Sequence, residues 1–221
     1  MSPNTWPAEA IWEQVYPLLP DFTVEILPEI DSTNSELMRR ARAGQTEPTL
    51  LVAERQTAGR GRMGRVWQSQ PGDSLTFSLS LPMVPKDWSG LSLAVGLSLA
   101  ESLHPQVGLN IRPRPADGLN TAPAALTEWR PDITAAQTLA LLAAPLIRTM
   151  LDFEQTGFAP LQARFEARDV LKGRRVHTSD GAQGGCLGVS ASGALRLQTD
   201  AGVLDIHSAE VSVRPFAEDK P

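Results

Sequence analysis

Several things are scarce in this 221-residue chain, and each shortage excludes something. There is one cysteine, Cys186, so no intrachain disulfide and no cysteine zinc site can form, and a reducing intracellular setting fits. There is no basic excess: 20 Lys and Arg stand against 25 Asp and Glu, a net charge of -5 that excludes a generally basic nucleic-acid coat. Any anion-binding site must therefore be a local cluster. No stretch reaches the roughly 18 apolar residues of a membrane span; the longest run, Leu139–Ile147, contains Pro145. Met1–Pro20 carries Pro3, Pro7, Pro17 and Pro20 and no basic head before an apolar run, so it reads neither as a secretory leader nor as a helix-turn-helix. The histidines, His104, His177 and His207, are scattered without ligand spacing, and no metal site is expected among them. A soluble cytoplasmic protein that binds neither nucleic acid nor membrane is the expectation.

What is present suffices for a core. Hydrophobic residues make up 42% and charged ones 20%, below the usual quarter, so long disorder is not indicated. The length suits one large domain or one domain with a small appendage. Residues 1–20 read as an irregular lead-in with one short helix near Ala8–Tyr16. Phe22–Leu27 alternates like a strand. Asp31-Ser32-Thr33-Asn34 opens a helix in which Thr33 and Glu36 have capping-box spacing and Gly44 is the stop. Thr49–Gln56 is a second strand, followed by a loop, Thr57–Gly72. Leu75–Leu81 is a strand with one buried face. Asp87 or Ser89 caps a helix to about Leu103 with core positions Leu91, Val95 and Leu99, and Trp88 packs at its start. Val107–Ile111 is a short strand and Arg112–Asp132 a long loop. Ala135–Glu154 and Pro160–Ala167 are helices.

From Val170 the texture changes. The short strands Arg175–Thr178, Cys186–Val189, Ala194–Gln198, Val203–Ile206 and Val211–Val213 alternate with glycine-containing turns, which suggests a small barrel with Cys186 in its core. The boundary falls near Asp169–Gly173.

The densest chemical signal is Gly59-Arg60-Gly61-Arg62-Met63-Gly64-Arg65, followed by Trp67. Glycine lets the backbone approach a ligand and present its N–H groups, and arginine offers bidentate, permanently charged donors to carboxylate or phosphate. Together they make an anion-binding loop, with a solvated basic loop as the plain alternative. The glycines spell G-x-G-x-x-G, but Val66-Trp67-Gln68-Ser69-Gln70-Pro71-Gly72 does not open a helix, so this is not a dinucleotide fingerprint; nor is it a phosphate-binding loop of the Gly-Lys-Ser/Thr kind. The second signal, Asp31-Ser32-Thr33-Asn34, is either a simple helix cap or a helix start that presents hydroxyls and an amide to a polar ligand.

The order Asp-Ser-Thr-Asn, a strand, then Ala53-Glu54-Arg55-Gln56-Thr57-Ala58-Gly59-Arg60-Gly61-Arg62, Trp67, a Ser-rich strand and Leu91-Ser92-Leu93-Ala94-Val95-Gly96 resembles the biotin–protein ligase family, in its short form without a DNA-binding domain. The tail, notably Gly188–Leu197 and Ala209-Glu210-Val211-Ser212-Val213-Arg214, resembles that family's carboxy-terminal SH3-like barrel. The resemblance implies an α+β fold: a mixed-sheet catalytic domain over residues 21–169 and a barrel over 170–216. It implies ATP-dependent attachment of biotin, through biotinyl-5′-adenylate, to a lysine of a biotin carboxyl carrier domain of acetyl-CoA carboxylase or a related carboxylase. Biotin and ATP would be substrates, with Mg2+, and the enzyme a monomer or homodimer. By motif, Ser32, Thr33, Asn34 and Gln56 would contact biotin. Arg60, Gly61 and Arg62 would hold the activated carboxyl and phosphate, with Arg60 and Arg62 the catalytic pair. Trp67 would cover the adenylate, and Asn110 would lie on the nucleotide side.

The chain also departs from the family's pattern. His104-Pro105-Gln106 runs directly into Val107-Gly108-Leu109-Asn110-Ile111, so the chain is internally shortened near 106–107 and lacks the Lys-Trp-Pro-Asn-Asp and Gly-Gly-Ile-Leu segments. Its three lysines, Lys86, Lys172 and Lys220, match no family lysine motif. Two other readings follow: a lipoate or octanoate transferase of the same fold, and a module that binds biotin or its carrier without turnover. The arginine-glycine loop and the barrel tail favour biotin over lipoate, and the absent lysine segment favours the binding module.

Overall fold

The computed structural model describes residues 6–60, 66–67 (backbone alone), 70–103, 110–113, 125–128, 130–207 and 212–216. They divide into two compact units: residues 1–83 with 99–148, and residues 84–98 with 149–221.

The first unit is built on a three-stranded mixed sheet in the order β1-β2-β5, where β1 is Thr23–Ile30, β2 Thr49–Gln56 and β5 Thr76–Ser80. β2 lies in the middle, parallel to β1 and antiparallel to β5. Its run Leu50-Leu51-Val52-Ala53 is buried residue by residue, as expected of a strand covered on both faces rather than one. In β5 only Thr76 is buried; Phe77 to Ser80 are all half-buried, so the strand does not show the single buried face that its alternation predicts.

Helix α1 (Ala8–Val15) starts directly after Pro7 and buries Ile11 and Val15, one turn apart. Helix α2 (Thr33–Arg42) buries Leu37 and places Arg39, Arg40 and Arg42 in its last turn, where the helix dipole favours cations. It ends at Gly44, whose φ of 82° is the left-handed conformation that glycine adopts freely. Its cap differs from the expected box. Ser32, not Thr33, is the N-cap, accepting from the Ser35 N–H at 3.3 Å, and the Glu36 carboxylate pairs with Arg39 and Arg40 instead of reaching back to the cap.

The loop after β2 contains a small hairpin, β3 (Gly59–Arg60) against β4 (Val66–Trp67), with Gly59 opposite Trp67 and Arg60 opposite Val66. Of the expected strand Val107–Ile111, residues 107–109 lie outside the described residues. Asn110 forms isolated bridges to Ser74 and Ala125, and a 3-10 turn, Leu126–Glu128, follows in the expected loop.

Helix α3 (Leu91–Leu103) begins after Gly90, with Ala94, Leu97, Ser98 and Leu99 buried. Leu91 and Val95 are only half-buried, a shift of the core face from the expected one. Asp87 does not cap the helix; its carboxylate accepts from the Ser89 N–H at 2.9 Å in a local turn. Trp88 is 54% exposed and so does not pack as expected. Helix α4 (Ala135–Thr156) runs through Pro145, and the expected helix at Pro160–Ala167 is a 3-10 turn (Ala159–Leu161) followed by α5 (Gln162–Glu166).

In the second unit, five antiparallel strands follow: β6 (Arg175–Thr178), β7 (Gln183–Val189), β8 (Leu195–Thr199), β9 (Gly202–Ile206) and β10 (Val213–Pro215), in the order β10-β6-β7-β8-β9. Val176, Cys186 and Leu197 form its buried centre, joined by Leu171, Leu195, Ile206 and Val213. Burial pushes the Cys186 thiol above its ordinary range, which suits a packing rather than a reactive cysteine. Among the described residues no helix is long and apolar enough to cross a membrane.

Candidate functional site

The parallel pair β1–β2 ends at Ile30 and Gln56, and the antiparallel β5 begins at that same end of the sheet. The strands end there but their pairing does not. The Thr57 N–H donates to the Ile30 carbonyl at 2.9 Å and the Ala58 N–H to the Asp31 carbonyl at 2.8 Å. These two bonds hold the start of α2 against the entry to the Gly59–Arg60 hairpin. The two motifs that stand out in the sequence are therefore neighbours.

A compact polar cluster lies at this junction. Gln56 Oε1 accepts from the Thr33 N–H at 2.7 Å and from the Thr33 hydroxyl at 3.1 Å. The Thr33 hydroxyl lies 2.8 Å from the Ser78 hydroxyl. Because Thr33 gives its one hydroxyl proton to Gln56, Ser78 donates to Thr33 and keeps its own lone pairs as acceptors. Ser32 and Thr33 are buried, whereas Asn34, one residue on, is exposed. Such a cluster can offer fixed donors and acceptors to a small neutral polar ring, at little reorganisation cost.

Asp31 fixes the junction electrostatically. Its Oδ1 accepts from the Ser32 N–H at 2.7 Å, and the Arg39 guanidinium forks onto both carboxylate oxygens at 2.8 and 2.9 Å. Arg39, and then the Ser32 N–H, hold the Asp31 carboxyl at about 2. Arg40 and Arg39 lower Glu36 in the same way, and Arg40 also pairs with Glu25 of β1 at 2.7 Å.

The structure thus brings Ser32, Thr33 and Gln56 together and joins them through backbone to Arg60. Arg60 is exposed, and no carboxylate pairs with it among the described residues. Gly61 and Arg62 lie outside the described residues. Trp67 is placed by its backbone pairing to Gly59. Asn110 is attached at the Ser74 end of β5, beside this region but not within the cluster. Ser78 is the member that sequence reasoning missed. A signal existed: Thr76, Ser78 and Ser80 put three hydroxyls on one strand face, and none of the three is exposed. A cavity of about 820 Å³ in the same unit, lined by Gln14, Arg130, Asp132, Gln137 and Leu141, shares none of these residues.

Comparison with solved structures gives the fold a class. A biotin protein ligase from Aquifex aeolicus in complex with biotin and ATP superposes with a TM-score of 0.73 at 24% identity, over 87% of this chain and 98% of that one. The mixed sheet with its helices is the biotin protein ligase fold, and the five-stranded antiparallel sheet is an additional barrel-like element. Residues 26–138 match the Biotin/lipoate A/B protein ligase family, and the chain belongs to that family of ligases. The bifunctional ligase/repressor BirA of Salmonella typhimurium is 31% identical over 252 aligned positions, covering 91% of this chain and 78% of that protein. Its counterpart in Escherichia coli is 30% identical, covering 91% and 77%. The biotin–[acetyl-CoA-carboxylase] ligase of Mycobacterium tuberculosis is 34% identical over 90 residues, 39% of this chain and 34% of that protein. The 252 positions shared with the Salmonella protein hold only 91% of a 221-residue chain, so that relative carries residues within the aligned stretch that this chain lacks.

Proposed function

We propose that this chain attaches biotin to a lysine of a biotin carboxyl carrier domain, through biotinyl-5′-adenylate. The observation that carries the reading is the Thr33–Gln56–Ser78 cluster, in which Thr33 is buried and Gln56 and Ser78 half-buried, tied through the Ala58–Asp31 bond to the Gly59–Arg60 strand that opens the arginine-glycine loop. Biotin has the two ends this arrangement fits: a neutral ureido ring for the cluster, and a carboxylate for the cationic loop. The names of the relatives support the same substrates.

In the first step the biotin carboxylate attacks the α-phosphate of ATP, forming the acyl–phosphate bond and expelling pyrophosphate. In the second, a neutral carrier lysine attacks the acyl carbonyl, forming an amide and expelling AMP. Mg2+ enters with ATP as part of that substrate. Ser32, Thr33, Asn34 and Gln56 orient biotin, with Ser78 added to the set. Arg60, Gly61 and Arg62 offset the repulsion between carboxylate and phosphate, which is greatest where charge develops, so Arg60 and Arg62 are the catalytic pair. Trp67 covers the adenylate and Asn110 stands on the nucleotide side. Of the lysines, Lys172 is paired with Glu166 at 2.6 Å, and neither it nor Lys86 matches a family lysine motif. Residues 21–169 form the catalytic domain and residues 170–216 an SH3-like barrel. The enzyme works in the cytoplasm, as a monomer or homodimer, on the carrier of acetyl-CoA carboxylase or a related carboxylase.

Intact-mass analysis of a purified carrier domain tests this. Incubation with the chain, MgATP and biotin is expected to add one biotinyl group at the carrier lysine. Modification by lipoate or octanoate in place of biotin would transfer the reading to acyl transfer of those acids. Biotin binding without any carrier modification would leave a binding module.

A further inference from the structure

Arg39 belongs to neither motif and has no role in the reaction as written above. It sits on the second turn of α2, yet its guanidinium reaches back eight residues to Asp31. Asp31 is where the two halves of the site meet. Its carboxylate takes the Ser32 N–H, which orients the cap residue of α2, and its backbone carbonyl takes the Ala58 N–H, which orients the entry to the arginine-glycine hairpin. The Arg39 end is fixed as well, since Glu36 Oε2 accepts from its Nε at 3.0 Å and from its Nη2 at 2.7 Å. Asp31, Arg39 and Glu36 thus form a closed chain over the first two turns of the helix.

We infer that Arg39 is a positioning residue for the biotin site: through Asp31 it keeps the Ser32–Thr33 helix start in register with the Gly59–Arg60 hairpin. The inference rests on the biotin reading of the site. It is specific to Arg39 because Arg40, next in sequence, faces Glu25 of β1 and Glu36, not Asp31. It also needs the fork. A lysine could supply the charge but not two parallel bonds to one carboxylate. The exposed position of the pair limits its worth as a stabiliser, since exposed ion pairs contribute little to folding. Its effect should therefore fall on geometry at the site rather than on stability. A displacement of under an ångström in a supporting residue is enough to loosen a bound ligand.

The test uses the full chain with three variants, Arg39→Ala, Arg39→Lys and Arg40→Ala. Steady-state carrier labelling is expected to show KM for biotin raised roughly five- to tenfold in Arg39→Ala, with kcat within about twofold, because the reacting groups are untouched. Arg39→Lys should recover part of the loss. Arg40→Ala removes an equal charge from the same helix and should leave KM within about twofold. NMR titration of the Asp31 carboxyl gives a readout independent of activity. It is expected near 2 in the native chain and to rise toward the ordinary aspartate range in Arg39→Ala, with faster hydrogen exchange at the Ala58 amide. An unchanged KM in Arg39→Ala, or equal effects of Arg39→Ala and Arg40→Ala, would overturn the inference. If the native chain binds no biotin while the Asp31 titration and Ala58 exchange still respond to Arg39→Ala, the latch exists and the biotin reading has failed. If neither responds, the latch itself is absent.

Discussion

Arg60→Ala is expected to weaken binding of a non-hydrolysable biotinyl-adenylate analogue by about 1.5–3 kcal/mol, roughly ten- to a hundredfold in Kd. The reasoning starts from the residue's surroundings. Arg60 is exposed on the short strand β3 and no carboxylate pairs with it among the described residues, so its charge is available to an arriving anion. Its backbone pairing with Val66 does not depend on the side chain, and alanine preserves the hairpin. Arg55 provides the control. It is also an exposed arginine at the end of β2, but it is paired with Glu29 across the sheet at 2.8 Å. Arg55→Ala should leave the affinity within about twofold, as for an exposed ion pair. Calorimetric titration of both variants decides the matter, and equal losses would show a general charge effect rather than an anion site at the hairpin.

The largest effect on folding is expected at Gly90→Ala. Gly90 has a φ of 80°, which costs a non-glycine residue about 1–3 kcal/mol. A Cβ there would lie 2.6 Å from Cβ and 2.7 Å from Cγ of Phe158, which is itself buried and cannot retreat into solvent. Gly193 closes the other side: its φ is 79°, and a Cβ on it would stand 2.5 Å from the Gly90 Cα. The start of α3 and the turn between β7 and β8 therefore touch backbone to backbone. Overpacking of this kind adds about 1–3 kcal/mol, so the total loss is about 2–6 kcal/mol, a large share of a typical domain's stability. Gly157→Ala separates the two contributions, because Gly157 has a φ of 68° and nothing within 4 Å of its would-be Cβ. Urea unfolding should show a clearly smaller shift for Gly157→Ala than for Gly90→Ala. Equal shifts would mean that the close approach to Phe158 costs nothing.

What could be read in the sequence followed local physics. Thr49–Gln56 was legible to the residue because an apolar run ending in charged and polar residues has one reading as a central strand. Short strands with glycine turns gave β6 exactly and β7 to β9 to within a few residues. Cys186 was legible as core because a lone small apolar side chain in a strand has few other uses. Errors arose where a distant residue decides. The capping box failed because the Thr33 hydroxyl is taken by Gln56 and Ser78, 23 and 45 residues away, and because Glu36 is taken by arginines. The core face of α3 shifted because its apolar residues ring the helix and periodicity alone does not choose among them. Gly90 drew no notice beside Asp87 and Ser89, since the need for glycine there comes from Phe158. For the site, both motifs were legible as chemistry, but the Ala58–Asp31 bond that makes them one site, and the reach of Arg39 across it, exist only in three dimensions.

The central claim is that the residues at the end of β1 and β2 form a site that activates biotin. Biotin-dependent exchange of labelled pyrophosphate into ATP, measured on the purified chain, tests it most directly because it needs no carrier. The account predicts exchange that requires both biotin and Mg2+ and falls sharply in Arg60→Ala. No exchange above the biotin-free control from a folded chain would contradict it.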